Sequence, residues 1–241
     1  MNALFITGTD TGVGKTMVTV LLTQLLREQG VAVRTLKPVA SGVDPNQPDG
    51  MAEDTRAIWD AQGRAIPPER ITPWRFREPA APPVAAEVEG RSLQLAELVS
   101  GVQAELSPNH CLIVEGVGGL LCPLTETETV ADWISALNMP TLIVTRRGLG
   151  TLNHTLLTVE AAMRRGISVV GLIVNSDRPG DSLAERTAVR EIQRRIPLPI
   201  WAELPYTEMG RLDSAQIPEL EGQRLRQALK TVLESSTRNP I

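Results

Sequence analysis

A glycine-rich segment near the start of the chain restricts the possible folds more than any other feature. Residues Gly8–Thr16 read GTDTGVGKT, and they follow the short apolar run Asn2–Thr7. Apolar residues then recur at three- and four-residue spacing from Val18 to Leu25, which is typical of a helix with one buried face. The order of strand, glycine loop and helix predicts a loop whose backbone N–H groups hold phosphate oxygens.

The side chains of this loop also suit a phosphate ligand. Lys15 supplies a cation, and the hydroxyl of Thr16 can bind Mg²⁺ beside a phosphate. Five residues separate Gly8 from Gly14, one more than in the strict phosphate-loop pattern. A plain glycine turn with a surface lysine is the alternative interpretation, but the flanking strand and helix favour the phosphate loop. Such a loop does not by itself distinguish a motor, a switch, a kinase and a synthetase.

The rest of the chain alternates apolar runs with helical patterns. Because runs without polar alternation are buried on both faces, we predict a single α/β domain over residues 1–241, P-loop NTPase-like, with a mostly parallel sheet flanked by helices. Nucleotide should then bind at the carboxyl ends of the strands. We expect the tail to fray from about residue 235 to 241. The strand-like runs are Val31–Leu36, Cys111–Glu115, Thr141–Thr145, Ser168–Val174 and the residues around Leu198–Ala202.

Two segments interrupt this alternation, Val43–Met51 and Ile66–Pro83. The second contains six prolines, a density that we expect to exclude regular helix and strand. Long structureless loops inside a compact domain are usually disordered or functional. Both segments depart from elements that we expect to lie over the active edge.

Charge and composition argue against several classes of function. The 241 residues carry 24 basic and 28 acidic side chains, for a formal net charge of −4, and the basic residues are dispersed. We therefore expect no nucleic-acid partner. No apolar run approaches the roughly 18 residues of a membrane span, and the first residues do not resemble a secretory signal, so we expect a cytoplasmic protein without a membrane partner. The spacing of Cys111 and Cys122 fits neither zinc nor a disulfide scaffold, and we interpret both as packing residues.

A second lysine is predicted at the same edge of the sheet as the phosphate loop. Lys37 follows the second strand and begins the segment KPVASG. Pro38 and Gly42 predict a tight turn, which would hold Lys37 and Ser41 in fixed positions. This arrangement favours a functional lysine over a solvated one at a strand end.

Acidic residues are predicted nearby. Glu115 ends a strand and enters the glycine-rich segment Gly116–Gly119, which is a usual place for an acidic Mg²⁺ partner. Asp54 could be a second metal ligand or only an acid at a helix start, and its own motif leaves both interpretations open.

Taken together, these segments resemble the dethiobiotin synthetase family, from the first strand to about Pro205. The phosphate loop is widely shared, whereas KPVASG and the later LGTLNH are far more particular to that family. The matching positions are Gly8–Thr16, Lys37–Gly42, Asp54, Glu78-Pro79, Glu115–Gly119, Ala131-Asp132-Trp133, Leu149-Gly150, Asn153-His154, Asn175 and Pro205.

The resemblance implies ATP-driven closure of 7,8-diaminononanoate with CO₂ to dethiobiotin. The route would pass through a carbamate and a carbamic-phosphoric mixed anhydride, and it would release ADP and phosphate. Carbamate and triphosphate repel one another, so cations must lie between them. The implied catalytic residues are Lys37, Lys15, Thr11 and Ser41, and the implied Mg²⁺ ligands are Thr16, Asp54 and Glu115.

The resemblance also implies two binding sets. The nucleotide set is Gly12, Val13, Gly14, Lys15, Thr16, Met17, Asp54, Glu115, Gly116, Val117, Gly118, Asn175 and Pro205, the last two near the base. The substrate set is Thr11, Lys37, Ser41 and Gly118, with Leu149, Gly150 and Asn153 contributed by the other subunit of a homodimer. That segment would receive the distal carboxylate of the substrate at a helix start.

Two departures and two alternative functions remain. Pro83 stands where some relatives carry histidine, and Arg146-Arg147 precede the dimer segment where we expect apolar residues; either could reshape the carboxylate pocket. One alternative is a nucleotide-switch ATPase of the chromosome-partitioning type, although those proteins carry a lysine where this chain has Asp10. The other is a related amide-forming synthetase of cofactor biosynthesis.

Overall fold

The apolar runs form strands that lie side by side in a parallel sheet. The structure is a computed structural model, and it describes residues 2–44, 50–208 and 212–238. The strands are β1 (Ala3–Gly8), β2 (Val33–Leu36), β3 (Val39–Ala40), β4 (Trp74–Arg75), β5 (Cys111–Glu115), β6 (Thr141–Arg146), β7 (Val169–Asn175) and β8 (Ile200–Leu204). Six of them form one sheet in the order β2-β5-β1-β6-β7-β8, with every pair parallel. The predicted α/β fold is confirmed.

Helices cover both faces of this sheet. They are α1 (Lys15–Glu28), α2 (Glu53–Ala61), α3 (Pro68–Ile71), α4 (Pro82–Val88), α5 (Leu95–Gln103), α6 (Val130–Leu137), α7 (Thr151–Arg164), α8 (Leu183–Gln193) and α9 (Glu219–Arg238). Successive strand residues point to opposite faces, so Phe5 and Ile6 of β1 pack into two different buried clusters. Phe5 meets the ring of Trp133 on α6 edge-on, with centroids 5.1 Å apart. The continuous apolar runs are thus buried on both sides, as predicted.

The strand order brings the candidate residues to one edge. Because β5 lies between β2 and β1, Glu115 pairs in register with Ile6, just before the glycine loop. Leu36, which precedes Lys37, pairs with Val114 in the same way. The carboxyl ends of three neighbouring strands therefore carry Lys37, Glu115 and the phosphate loop.

The prediction that Ile66–Pro83 excludes helix and strand is wrong. The segment contains α3 and β4, and α4 begins at Pro82. Pro68 and Pro82 occupy first positions of their helices, where the missing N–H has no intrahelical partner and the fixed φ angle suits the helix. Pro68 and Pro82 therefore mark the starts of α3 and α4.

The predicted tight turn after Lys37 is also wrong, because its middle is extended. Strand β3 pairs with β4, and further backbone hydrogen bonds join Trp74 N–H to the carbonyl of Pro38 and Phe76 N–H to that of Ala40. Gly42 does adopt a positive φ of 75°. The segment is thus held by pairing along its length, which fixes it at least as firmly as a turn would.

Some predictions fall on residues outside the described ranges. Part of Val43–Met51 (45–49) and part of the predicted frayed tail (239–241) lie outside the described residues, and α9 continues to Arg238. The extent of the domain over residues 1–241 stays a prediction. Within the described ranges, no helix has both the length and the apolar character needed to cross a membrane.

Candidate active site

A pocket of about 840 Å³ opens where the phosphate loop, β3 and the end of β5 meet. Most of the candidate residues line it, although they come from distant parts of the chain. The predicted residues in its wall are Thr11, Gly12, Gly14, Lys15, Thr16, Met17, Lys37, Ser41, Asp54, Glu115, Val117 and Gly118. The structure therefore brings the residues that are expected to bind phosphate, metal and carbamate into one cavity.

The ammonium group of Lys37 is the centre of a buried polar cluster. Its Nζ donates to Glu115 Oε1 at 2.9 Å and to Thr16 Oγ1 at 3.3 Å, and it forms an ion pair with Asp54. Thr16 Oγ1 in turn donates to Glu115 Oε1 at 2.6 Å. Glu115 is fully buried and Lys37 is 6% exposed. A single cation thus joins the three residues predicted to hold Mg²⁺.

Electrostatics favour the charged forms in this cluster. Burial opposes the charge on Lys37, but Glu115 and Asp54 outweigh it and raise the pKa of the ammonium group above its usual value. Burial likewise opposes ionisation of Asp54, but the charge and hydrogen bond of Lys37 hold the pKa of that carboxyl below its usual range. Lys37 is therefore a permanent cation at neutral pH.

Lys15 has a different environment. It is 7% exposed, and its Nζ donates to the backbone carbonyl of Asp10 at 2.9 Å, across the phosphate loop. Burial lowers the pKa of this ammonium group, and the carboxylate of Glu115 offsets only part of the effect. A phosphate group would supply the counter-charge that Lys15 lacks here.

The phosphate loop has the backbone conformation that its glycines predict. Gly12 and Gly14 have φ angles of 74° and 96°, in the left-handed region that favours glycine. A Cβ atom on Gly14 would lie 2.2 Å from Nδ2 of Asn175, and this amide donates to the carbonyl of Val13 at 3.0 Å. Asn175, from the end of β7, therefore buttresses the loop from behind.

The oxygen groups fit a magnesium ion. Among the described residues, no three His, Cys, Asp or Glu side chains form a metal-holding group by themselves. Mg²⁺ is usually bound by one or two carboxylates together with substrate phosphates, which is what Asp54, Glu115 and the hydroxyl of Thr16 would provide. Glu115 Oε2 is buried without a hydrogen-bond partner in the described part of the chain. This atom is one that a bound cation would satisfy.

Some predicted residues lie away from the pocket wall. Val13 and Gly116 do not line it, and Asn175 buttresses the loop with its own Oδ1 buried and unpartnered within the described ranges. Pro205 follows β8 and is exposed. The segment Leu149–Asn153 stands at the start of α7, outside the pocket of its own chain.

Arg146 and Arg147, which depart from the family pattern, lie in different environments. Arg147 pairs with Glu203 of β8 at 2.6 Å, and its backbone N–H donates to the carbonyl of Asn175. It thus ties β6 to β8 across the end of β7. Arg146 and Pro83 are partly exposed, and the effect of either on a carboxylate pocket stays a prediction.

Sequence reasoning missed several pocket residues. Cys122, interpreted as a packing residue, lines the cavity, whereas Cys111 is buried in the sheet as predicted. A Cβ on Gly118 would lie 2.6 Å from the Cys122 sulfur, so these two residues are in close contact. Further lining residues come from the described part of the segment after Gly42 and from the proline-rich stretch; they are Val43, Asp44, Met51, Ala52, Glu53, Pro79, Ala80, Ala81 and Pro82. The Glu78-Pro79 match was the available signal for the second group.

The chain is similar to named proteins over most of its length. A family model described as an AAA domain matches residues 2–210. The ATP-dependent dethiobiotin synthetase BioD of Anaeromyxobacter dehalogenans (strain 2CP-1 / ATCC BAA-258) is 44% identical over 209 residues, which are 86% of this chain and 91% of the relative. The protein of the same name from Bacillus velezensis is 40% identical and covers 85% of this chain and 87% of its own length.

The chain belongs to the dethiobiotin synthetase family. The resemblance to this family is thereby confirmed, and the family is one of ligases.

Solved structures support the fold alone. The septum site-determining protein MinD complexed with Mg-ADP, from Pyrococcus horikoshii OT3, has a TM-score of 0.61 at 17% identity, and covers 100% of this chain and 99% of that one. A ParA family ATPase from Chlorobium tepidum TLS has a TM-score of 0.52 at 18% identity and covers 99% and 98%. This chain therefore shares the P-loop NTPase fold with these two proteins.

Proposed function

We propose that this protein is an ATP-dependent dethiobiotin synthase, which closes 7,8-diaminononanoate with CO₂ into a cyclic urea. The observation that carries the proposal is the meeting of Lys15, Lys37 and two carboxylates in one pocket, in a chain with more than 40% identity to named synthetases. ADP and phosphate would be the other products.

The phosphate loop would bind the triphosphate. The backbone N–H groups of Gly12–Thr16 lie at the start of α1, and the positive end of this helix attracts phosphate. Lys15 would bind phosphate oxygens in place of the Asp10 carbonyl. Met17 and the glycines around Val117 would contact the nucleotide, and Asn175 and Pro205 would lie near its base.

The carbamate would lie between the phosphate loop and β3. Lys37 reaches this space, and its positive charge would stabilise both the carbamate and the phosphoryl group during transfer. The hydroxyl of Ser41 is buried without a partner in the described part of the chain, so it can bind the substrate without breaking an existing hydrogen bond. Thr11 and Gly118 complete this side of the pocket.

A magnesium ion would be held by Thr16, Asp54 and Glu115. When bound, it supplies positive charge that neutralises the phosphate oxygens. The same three residues contact Lys37 in the structure, so they also position the ammonium group.

The second half of the substrate site would come from a partner subunit. Leu149, just before α7, is 84% exposed, and Leu157 is 57% exposed one turn after the exposed Asn153 on that helix. Gly150 precedes α7 with no side-chain cap, and the N–H of Thr151 donates to the carbonyl of Gly148. The next N–H groups of the first turn would be available to a carboxylate. A homodimer would bury the leucines and bring this helix start to the partner's pocket.

Asn153 should therefore act in trans. Mixing inactive Lys37→Gln protein with inactive Asn153→Ala protein should restore activity, because each mixed dimer contains one site free of both substitutions. Activity that stays absent after verified subunit exchange would contradict the shared site.

The function is tested by a direct assay. The protein is incubated with 7,8-diaminononanoate, bicarbonate, Mg²⁺ and ATP, and dethiobiotin and phosphate are measured together. We expect equal amounts of both products, and neither without the diamine. Phosphate release that ignores the diamine would support the nucleotide-switch alternative instead.

The identity of residue 10 weighs against that alternative. Asp10 stands where switch ATPases of the partitioning type carry a lysine, and its carboxylate accepts a hydrogen bond from the N–H of Thr11 at 2.7 Å. A negative side chain at this point cannot take the role of a phosphate-binding lysine.

A further inference from the structure

Four threonine hydroxyls meet between the phosphate loop and α7; Thr145, Thr151 and Thr155 are buried, and Thr9 is partly buried. Thr145 Oγ1 lies 2.8 Å from Thr155 Oγ1, 3.0 Å from Thr151 Oγ1 and 3.3 Å from Thr9 Oγ1. The hydroxyls of Thr151 and Thr155 are 3.5 Å apart. We call these four residues the threonine cluster.

The cluster connects three elements that the proposed reaction uses. Thr9 lies in the phosphate loop, and its N–H donates to the carbonyl of Val144 on β6. Thr145 stands near the end of β6, and Thr151 and Thr155 occupy the first two turns of α7. The loop that would bind ATP is therefore joined, through one side chain, to the helix start that would serve the partner subunit.

Thr145 is the centre of the threonine cluster, because its hydroxyl contacts those of the other three members. A hydroxyl donates one hydrogen bond and accepts two, and Thr145 has three hydroxyl neighbours. It is fully buried and follows the apolar residues Leu142–Val144 of β6. Burying a hydroxyl costs free energy unless its hydrogen bonds are made, so the three partners hold Thr145, and through it α7, in one arrangement.

We propose that the threonine cluster positions the start of α7, so that Leu149–Asn153 is presented to the partner's pocket in a fixed relation to the phosphate loop of its own chain. The members are positioning residues, because none of the four side chains lines the pocket. The proposal rests on the proposed function, and specifically on donation of Asn153 in trans.

Kinetics distinguish positioning from packing. Thr155→Val keeps the shape but removes the hydroxyl bond to Thr145, and it leaves the phosphate loop untouched. We expect the KM for the diamine to rise about tenfold, as for loss of one buried hydrogen bond, while kcat and ATP affinity stay within about threefold. Thr151→Val should act in the same direction, and Thr155→Ser should restore the parent KM.

Thr158→Val is the matched control. Thr158 lies on the same helix and is also buried, but its hydroxyl donates to the carbonyl of His154 and is not a member of the cluster. This variant should keep the parent KM. An equal rise in both variants, or a loss of kcat without a change in KM, would overturn the positioning role.

Mixed dimers decide the direction of the effect. In a dimer of Lys37→Gln and Asn153→Ala chains, the only complete site has the pocket of the second chain and the α7 start of the first. Thr155→Val should raise the KM for the diamine when it is placed on the Lys37→Gln chain, and should have no effect on the other chain. An effect from the pocket chain alone, or equally from both, overturns the proposal.

The unsubstituted protein and the mixed dimers distinguish a failure of the proposed function from a failure of the threonine proposal. Absence of dethiobiotin with the unsubstituted protein overturns the proposed function. Activity of that protein without recovery in mixed dimers overturns donation in trans, and the threonine proposal with it. Recovery in mixed dimers whose KM ignores Thr155→Val and Thr151→Val overturns the threonine proposal alone.

Discussion

Replacing Lys37 with glutamine should separate nucleotide binding from catalysis. The change keeps a polar side chain that can donate a hydrogen bond to Glu115, but it removes the charge that faces two carboxylates. The phosphate loop binds through other atoms, so the Kd for ATP should change less than about tenfold. Turnover should fall by about 10²–10³, the usual loss for one electrostatic stabiliser of a transition state.

Because Glu115 is buried, replacing its partner Lys37 should lower the free energy of unfolding. A buried charge left without its partner costs about 3–5 kcal/mol, and we expect that range for Lys37→Met. Glutamine retains a donor, so its cost should lie nearer the ~1.5–3 kcal/mol of a hydrogen bond to a charged group. Both values are below the typical 5–15 kcal/mol free energy of unfolding, so both variants should fold.

The assay combines urea denaturation, ATP binding by calorimetry and dethiobiotin formation. Lys230→Gln is the control, because Lys230 is 66% exposed on α9 and lies 3.8 Å from Glu234. It should change none of the three quantities. If Lys37→Gln bound ATP normally and formed dethiobiotin near the parent rate, Lys37 would be no more than a structural cation.

Other substitutions test the rest of the site. Lys15→Ala should lower turnover by at least about 10²-fold with an unchanged circular dichroism spectrum, and near-normal turnover would contradict the phosphate-loop assignment. Gly14→Ala forces a left-handed residue against Asn175 and should cost about 1–3 kcal/mol in urea denaturation, with weaker ATP binding. Asp54→Ala and Glu115→Ala should raise the Mg²⁺ concentration for half-maximal activity before they raise the KM for the diamine; a variant that keeps the parent metal requirement is not a ligand.

The parts of the site that are local in sequence were predictable. Strand, glycine loop and helix follow one another at Gly8–Thr16, and a lysine or an acid at a strand end is visible as a break in an apolar run. Lys37 and Glu115 could be placed at one edge because parallel strands share their direction. Their direct contact at 2.9 Å depends on strand order, which periodicity does not encode.

The errors came from residues with two possible roles. Proline excludes a helix interior but favours a helix start, and only packing decides between the two at Pro68 and Pro82. The extended conformation of Val39–Ala40 depends on pairing with β4, more than thirty residues further along the chain. Cys122 carried no local signal, because its place in the pocket follows from the turn that brings it against Gly118.

The burial of Lys15 and Lys37 also affects how the protein can be attached to a surface. Lysine occurs only three times in the sequence, at these two positions and at Lys230, and the first two are nearly inaccessible. Amine-reactive linkers would therefore couple this chain mainly through α9, apart from any terminal amine. Because α9 packs beside β8 at the end of the sheet, and Lys230 does not line the pocket, a sensor prepared in this way would keep its nucleotide site open to solution.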